Sequence, residues 1–428
     1  MSEKKSPPGQ LAFGGLLCYT LICRGAVPTL ATASPVPRTG RGFSIEARRS
    51  QSVRKSQEET VGLRGKGRRS RREKISFQPI WFDSLGAKST CTRVETPDLS
   101  ILIDPGVAAM QASFPASKEE KRQWKAQGRK AIEEASDVDI IVISHYHHDH
   151  YIWEDVNFYR GKTIYAKDPN RFINRSQRQR AEKFYQEICS RFGELKLDEV
   201  LSEAQERKYP DPLDELPLAR GKDFGDYRER REELLRKGRK RFRRMAAEWN
   251  RYRVIPELSF EGCRVFWADS REFRFGGTAI KFSRPLFHGI EYTGLGWVIA
   301  TVVTCGGEKL IHSSDLNGIY IEDYARWLIE EDPDVLILDG PPTYLRGYLL
   351  SEINLRRCID NICEVIEEAS TELIILDHHL CREPRFKEKL ARVYETARGE
   401  GKAVTTAAEY LGKVPKVFEA EGYGGLDV

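Results

Sequence analysis

Among its 428 residues the sequence has nine cysteines, at positions 18, 23, 91, 189, 263, 305, 358, 363 and 381, and no CxxC pair or disulfide-type spacing among them. A disulfide-stapled scaffold is therefore not indicated. The usage fits a reducing compartment in which each thiol is a small buried apolar group. Long apolar runs are also missing. The stretch LAFGGLLCYTLIC (11–23) follows Lys4 and Lys5 and precedes ATASPVP, as a signal peptide or short anchor would. It falls short of the about 20 apolar residues a membrane span needs. No internal repeat is found. What remains is a cytoplasmic globular chain, long enough for one large domain or two ordinary ones.

A uniform basic surface is missing too. The formal charge is +5, but residues 1–74 hold 16 Lys+Arg against 5 Asp+Glu, so the remainder is net acidic by 6. The whole-chain charge thus says nothing about a nucleic-acid partner. Residues 38–74, with RRSQSVRKS and RGKGRRSRREK, have no apolar periodicity, and residues 1–73 are expected to form a disordered basic extension. An equally plain reading is that translation begins near Lys74.

From residue 75 onward, strand-like runs alternate with helical ones. ISFQPIWF, CTRVET and SILIDPG read as successive strands. Ser117 and Glu120 form a capping box opening a helix that reaches about Ala135. VDIIVIS (138–144) is continuous, apolar and β-branched, hence a buried strand. KTIYAK, CRVFWADS, TAIKFSR, WVIATVV, KLIHSS, DVLILD and ELIIL follow as strands. Ser351 caps a helix with the stripe Leu355, Ile359, Ile362 and Ile366, and a further helix is expected over about 382–398. Residues 170–251 differ: helical and heavily charged, with seven cations between Arg236 and Arg244. Two sheets of short strands covered by outer helices are the layers this pattern predicts.

Histidine is the most informative scarcity. There are eight, and four of them (His145, His147, His148 and His150) lie with Asp149 in IIVISHYHHDHY, residues 140–151. Alternation at the strand end sends His145 and His147 to one side, and the following turn can bring Asp149 and His150 round to an adjacent point. Imidazole nitrogens with a carboxylate oxygen are a donor set that zinc accepts. Such polar density would be costly in a core unless it bound something.

HYHHDH resembles the HxHxDH signature of the metallo-β-lactamase superfamily, and further motifs of that superfamily follow in order. LIDPG carries Asp104, PLFHG carries His288, HSSD carries Asp315, and LDHH carries His378 and His379. The resemblance spans about 75–420. DGPPTY (339–344), KDPN (167–170) and the LDHHL ending are similar to an archaeal-type subgroup with no assigned substrate.

The resemblance implies a four-layer αββα fold over residues 74–428, with 170–251 as a helical insertion. It further implies that His145, His147 and His288 hold one metal ion, while Asp149, His150 and His378 hold a second. His379 is the alternative to His378. Asp315 would bridge the two, and Asp149 and Asp315 are the carboxylates expected to serve catalysis. Asp104 is expected to orient a ligand histidine, and Asp339 and His379 to stand beside the ligands. His148 would lie near the surface, and His312 would be structural.

Two divalent cations follow as cofactors. Zinc suits the His-rich set, with iron or manganese also compatible. The reaction implied is hydrolysis of an ester-like bond in a small substrate: phosphoester, thioester, lactone or amide. One alternative is an RNA or DNA nuclease using Arg236–Arg244 as its nucleic-acid arm, although interleaved Glu229, Glu232 and Glu233 suit a solvated helix. A non-catalytic binding module is the other. No membrane partner is expected for the folded domain.

Overall fold

The computed structural model describes residues 75–419. The expected basic extension at 1–73, its apolar run and the start near Lys74 lie outside the described residues.

The first sheet contains β1 (Ser76–Phe82), β2 (Thr90–Glu95), β3 (Ser100–Ile103), β4 (Ile140–Ile143), β5 (Lys162–Ala166), β6 (Leu258–Phe260) and β7 (Cys263–Trp267). Its seven strands run in the order β1-β2-β3-β4-β5-β7-β6. The second contains β8 (Glu272–Phe275) and β9 (Thr278–Phe282). After a small ribbon of β10 (Leu286–Phe287) and β11 (Trp297–Val298), it continues with β12 (Thr301–Cys305), β13 (Glu308–His312), β14 (Val335–Asp339), β15 (Leu373–Asp377) and β16 (Ala403–Thr405). Its order is β16-β15-β14-β13-β12-β9-β8.

Strand alternation divides the apolar side chains between two cores. Ile140 and Val142 of β4 join Ile101, Ile103, Ile280, Phe282, Leu310, Ile337 and Ile375 between the sheets. Ile141 and Ile143 belong instead to the outer core, with Trp124 and Ile132 of helix α1 (Lys118–Glu134). Leu336, Leu338 and Ile374 do the same for the second sheet, beneath α4 (Glu322–Glu331) and α5 (Glu352–Glu368), which contribute Leu328, Leu355, Ile362 and Ile366. This is the αββα arrangement of the metallo-β-lactamase fold. α1 carries the expected capping box of Ser117 and Glu120, and Ser117 to Ala135 bound it as read from sequence.

The insertion contains α2 (Arg175–Ile188) and α3 (Arg228–Trp249), with the short helices Leu197–Val200 and Pro217–Gly221 between them. It grips the loop after β10. Asn174 and Gln177 donate to the Leu295 carbonyl, each at 2.8 Å, and a Cβ on Gly238 would come within 2.5 Å of Tyr292. Arg357, buried on α5, donates to both Glu291 and Glu322. Arg231 of α3 joins Glu291 at 3.0 Å, and Lys222 joins Glu322 at 3.1 Å.

Two expected elements divide. WVIATVV becomes β11 and β12, because the Ile299 N–H is taken by the Ser144 carbonyl of the other sheet at 3.2 Å. The helix expected over 382–398 is instead a 3₁₀ turn at His378–Arg382, a short helix at Phe386–Lys389, and α6 (Ala391–Gly399). Pro384 has no N–H to continue the turn, and the Arg382 side chain is tied back to Asp83.

Candidate metal centre

β3 and β4 are parallel, as are β13, β14 and β15. Their carboxyl ends share an edge, and each expected ligand residue follows β4, β13, β15 or β10. The backbone is strained there. Asp104, Ser314 and His378, which follow β3, β13 and β15, have φ of 50°, 60° and 63°, a region L-residues avoid unless their surroundings impose it. Hydrogen bonds stitch the two sheets at this edge: Ser314 Oγ donates to Ser144 Oγ at 2.5 Å, and His312 Nε2 meets the Thr90 carbonyl at 2.9 Å.

Asp315 lies at the middle. Its carboxylate oxygens are 3.3–4.0 Å from a ring nitrogen of each of His145, His147, His150, His288, His378 and His379. Three overlapping groups place their donor atoms within 4.8 Å of one another: His145, His147, His288 and Asp315; Asp149, His150 and His378; and Asp315, Asp339, His378 and His379. The first two groups coincide with the sets read from the motifs. The third was not expected, and it gives His379 a nearer place than the sequence suggested.

The donors suit a cation. His145 Nε2, His150 Nε2, His378 Nε2 and Asp315 Oδ1 are all buried without a hydrogen-bond partner. Four orphaned polar atoms facing one another would be expensive in a protein interior unless something bound between them. The far sides of these rings are held. His150 Nδ1 lies 2.9 Å from Asp104 Oδ2, and Asp104 also accepts from the Ser144 amide at 2.8 Å. His378 Nδ1 lies 2.8 Å from Asp83 Oδ1. His288 Nδ1 meets the Asp315 carbonyl. The two carboxylate contacts orient the His150 and His378 rings and leave the other ring nitrogen for a ligand, as carboxylate–histidine pairs do around metals.

The choice between His378 and His379 is sharpened by these contacts. His378 has its Nδ1 occupied and its Nε2 free and buried, and it groups with Asp149 and His150. His379 turns its Nδ1 toward Asp339, at 3.1 Å, and Asp315, at 3.4 Å. Asp339 is engaged by the Asn317 amide at 2.5 Å. His312 accepts the Ser314 N–H and meets the Thr90 carbonyl, both structural contacts. His148 stacks on Trp153 at 4.6 Å, half-exposed and turned to other company.

Electrostatics follow from burial and neighbours. Burial takes His288 down to about 4 and His145 well below its usual value. Both rings are therefore neutral at pH 7, as a metal ligand must be. Burial would lower His150 as well, but the Asp104 carboxylate beside it lifts it to about 10. Burial would raise Asp315, and the surrounding imidazoles, His288 first, hold it well below the carboxylate range.

Sequence reasoning missed Asp83 and Arg382. Asp83 is fully buried after β1, where it holds His378 with one oxygen and the Arg382 Nε with the other, at 2.5 Å. The available signal was WFDSLG, a carboxylate between an apolar strand and a turn glycine.

This edge and its donor set define a class: proteins of metallo-β-lactamase fold, a fold that implies divalent metal binding. The metallo-beta-lactamase superfamily family model matches residues 86–153. The chain is 32% identical over 359 residues to a UPF0282 protein of Methanopyrus kandleri, covering 80% of this chain and 96% of that one. It is 32% identical over 344 residues to one of Aeropyrum pernix, covering 79% and 93%. The chain belongs to the UPF0282 family, an archaeal-type branch of the metallo-β-lactamase superfamily. Among solved structures it is similar to the metallo-beta-lactamase fold protein YhfI of Bacillus subtilis, at 12% identity and TM-score 0.36 over 78% of this chain and 95% of that one. It is also similar to the short form of human tRNase Z, at 11% and 0.31 over 71% and 92%.

Proposed function

We propose that the chain is a two-metal hydrolase of an ester-like bond in a small substrate, with zinc as the metal that its His-rich donors favour. The observation that carries this reading is the set of four buried, partnerless atoms, three imidazole nitrogens and Asp315 Oδ1. His145, His147 and His288 would hold one ion, Asp149, His150 and His378 the other, and Asp315 would lie between them. When bound, such a pair supplies a water activated at neutral pH and positive charge for the leaving oxygen. The protein's own part is positioning. Asp104 and Asp83 orient His150 and His378, and the buried edge keeps bulk water from the donors. His147 is 22% exposed and Asp149 half-buried, so that side is the one open to substrate.

A panel of model phosphodiester, thioester and lactone substrates, run on metal-reconstituted and chelator-treated protein, tests the proposal. Turnover of one class that is lost with chelator and restored with zinc supports it. No turnover in any class counts against it.

A nuclease is the second reading. On α3, Lys237 pairs with Glu233 and Arg239 with Asp211, whereas Arg236, Lys240, Arg243 and Arg244 carry no ion pair among the described residues. Those four cations are what a phosphate backbone would meet. RNA gel shifts at low salt with residues 1–73 removed test it.

A further inference from the structure

Two cations lie near Asp83, the carboxylate that also holds His378, and the hydrolase reading gives neither a role. Arg382 is buried. Its Nε is bound by Asp83 at 2.5 Å and its Nη1 faces Tyr344 Oη at 3.2 Å, but its Nη2 is buried with no acceptor. Lys88 lies on the loop joining β1 to β2, where its amide pairs with the Ala108 carbonyl at 2.9 Å. The next residue, Ser89, donates its amide to Asp83 Oδ1, also at 2.9 Å. The same carboxylate therefore anchors both the Lys88 loop and Arg382. The half-buried Lys88 ammonium makes no hydrogen bond or ion pair among the described residues.

Asp83, which also holds His378, brings these two cations to the same end of the site. Lys88 is desolvated and feels the charge of Arg382, then Asp149, Asp83 and Asp315. Arg382 feels Asp83, Tyr344 and Asp149. Asp83 pairs with the Nε of Arg382, but the buried Nη2 is still left without an acceptor, which is unfavourable unless a further acceptor meets it. Asp149 offsets part of the charge on the two cations, and less once it serves as a metal ligand.

We propose that Lys88 and the free Nη2 of Arg382 form an oxyanion-binding subsite beside the metal centre, so that the substrate carries a phosphate or carboxylate group next to the bond that is cleaved. The clause about cleavage rests on the hydrolase reading; the anion subsite itself does not. Arg is suited to planar contact with an oxyanion and Lys to a point charge, so the pair would fix both position and orientation. Tyr344, from DGPPTY, braces Arg382 from the other side.

Calorimetric titration of inorganic phosphate into the metal-loaded full chain tests the proposal, with metal content and melting temperature read on the same samples. If the wild type takes up no metal, the same titration is run on the protein as isolated. Wild type is expected to bind phosphate, and Lys88→Met to bind it about tenfold more weakly, the scale of one lost charge-assisted hydrogen bond. Lys88→Arg, which keeps the charge, is expected to stay within about threefold of wild type. Acetate in place of phosphate distinguishes the two anion types, the tighter binder naming the group. Equal phosphate affinity in wild type and Lys88→Met, or no binding of either anion by wild type, overturns the subsite. Lys88-dependent binding without hydrolysis of any ester supports the subsite and counts against the hydrolase.

Discussion

Asp83 and His378 stand 295 positions apart in the chain, yet their carboxylate oxygen and ring nitrogen are 2.8 Å apart. The turn after the first strand of one sheet thereby sets the ring orientation of a candidate ligand that follows β15 of the other. Asp104 does the same for His150 at 2.9 Å.

Removing either carboxylate is expected to weaken metal binding while the fold survives. Asp83→Asn and Asp104→Asn should each lower metal affinity by about 10- to 100-fold, the usual effect of losing a partner behind a ligand histidine. Competition with a chromogenic chelator measures this, and unchanged affinity in both variants would mean that the contacts do not orient the rings.

Gly106 closes against the histidine turn. A Cβ there would lie 2.2 Å from the His150 backbone nitrogen and 2.3 Å from that of Tyr151. Those are main-chain atoms that cannot swing aside, so Gly106→Ala is expected to cost about 1–3 kcal/mol of stability, as overpacking does, and to reduce metal content. Chemical denaturation and elemental analysis read the two effects.

Arg357 anchors the insertion to the body through Glu291 and Glu322. Its side chain is 2% exposed, so Arg357→Leu leaves two largely buried carboxylates each with one remaining partner, Arg231 or Lys222, and is expected to destabilise by about 1–3 kcal/mol. A loss below about 1 kcal/mol in urea denaturation would show that the cluster contributes little, as for an exposed pair.

The same cluster gives a pH dependence. Burial alone would raise Glu291 and Glu322, but the Arg357 guanidinium lowers both below the ordinary glutamate value. A carboxylate whose pKa is depressed by folding contributes stability above its unfolded value and loses it as pH falls through the folded one. The contribution is therefore complete at neutral pH and is lost progressively below about pH 4.3, the unfolded glutamate value. Melting curves of wild type and Arg357→Leu should converge as pH drops through that window; a constant gap would contradict the linkage.

The sequence made the site legible where chemistry and order coincided. His145, His147, Asp149, His150, His288, Asp315 and His378 could be named because scarce histidines fell at strand ends in a known order, and the structure brings all seven together. The capping box at Ser117 and the stripe on α5 were legible because they are local patterns. Asp83, Lys88 and Arg382 were not, because isolated charged residues reveal their role only through contacts nearly 300 positions away. The break after Arg382 was hidden by a helical pattern that Pro384 and the tie to Asp83 override.

The most direct test is a metal count on the purified, zinc-reconstituted chain and on Asp315→Ala, with circular dichroism confirming that both are folded. The account predicts about two divalent ions per wild-type chain, as a two-metal site requires, and a fall to about one or none when the central carboxylate is removed. A folded wild-type chain that retains no stoichiometric metal, or an Asp315→Ala protein that retains as much as wild type, would contradict it.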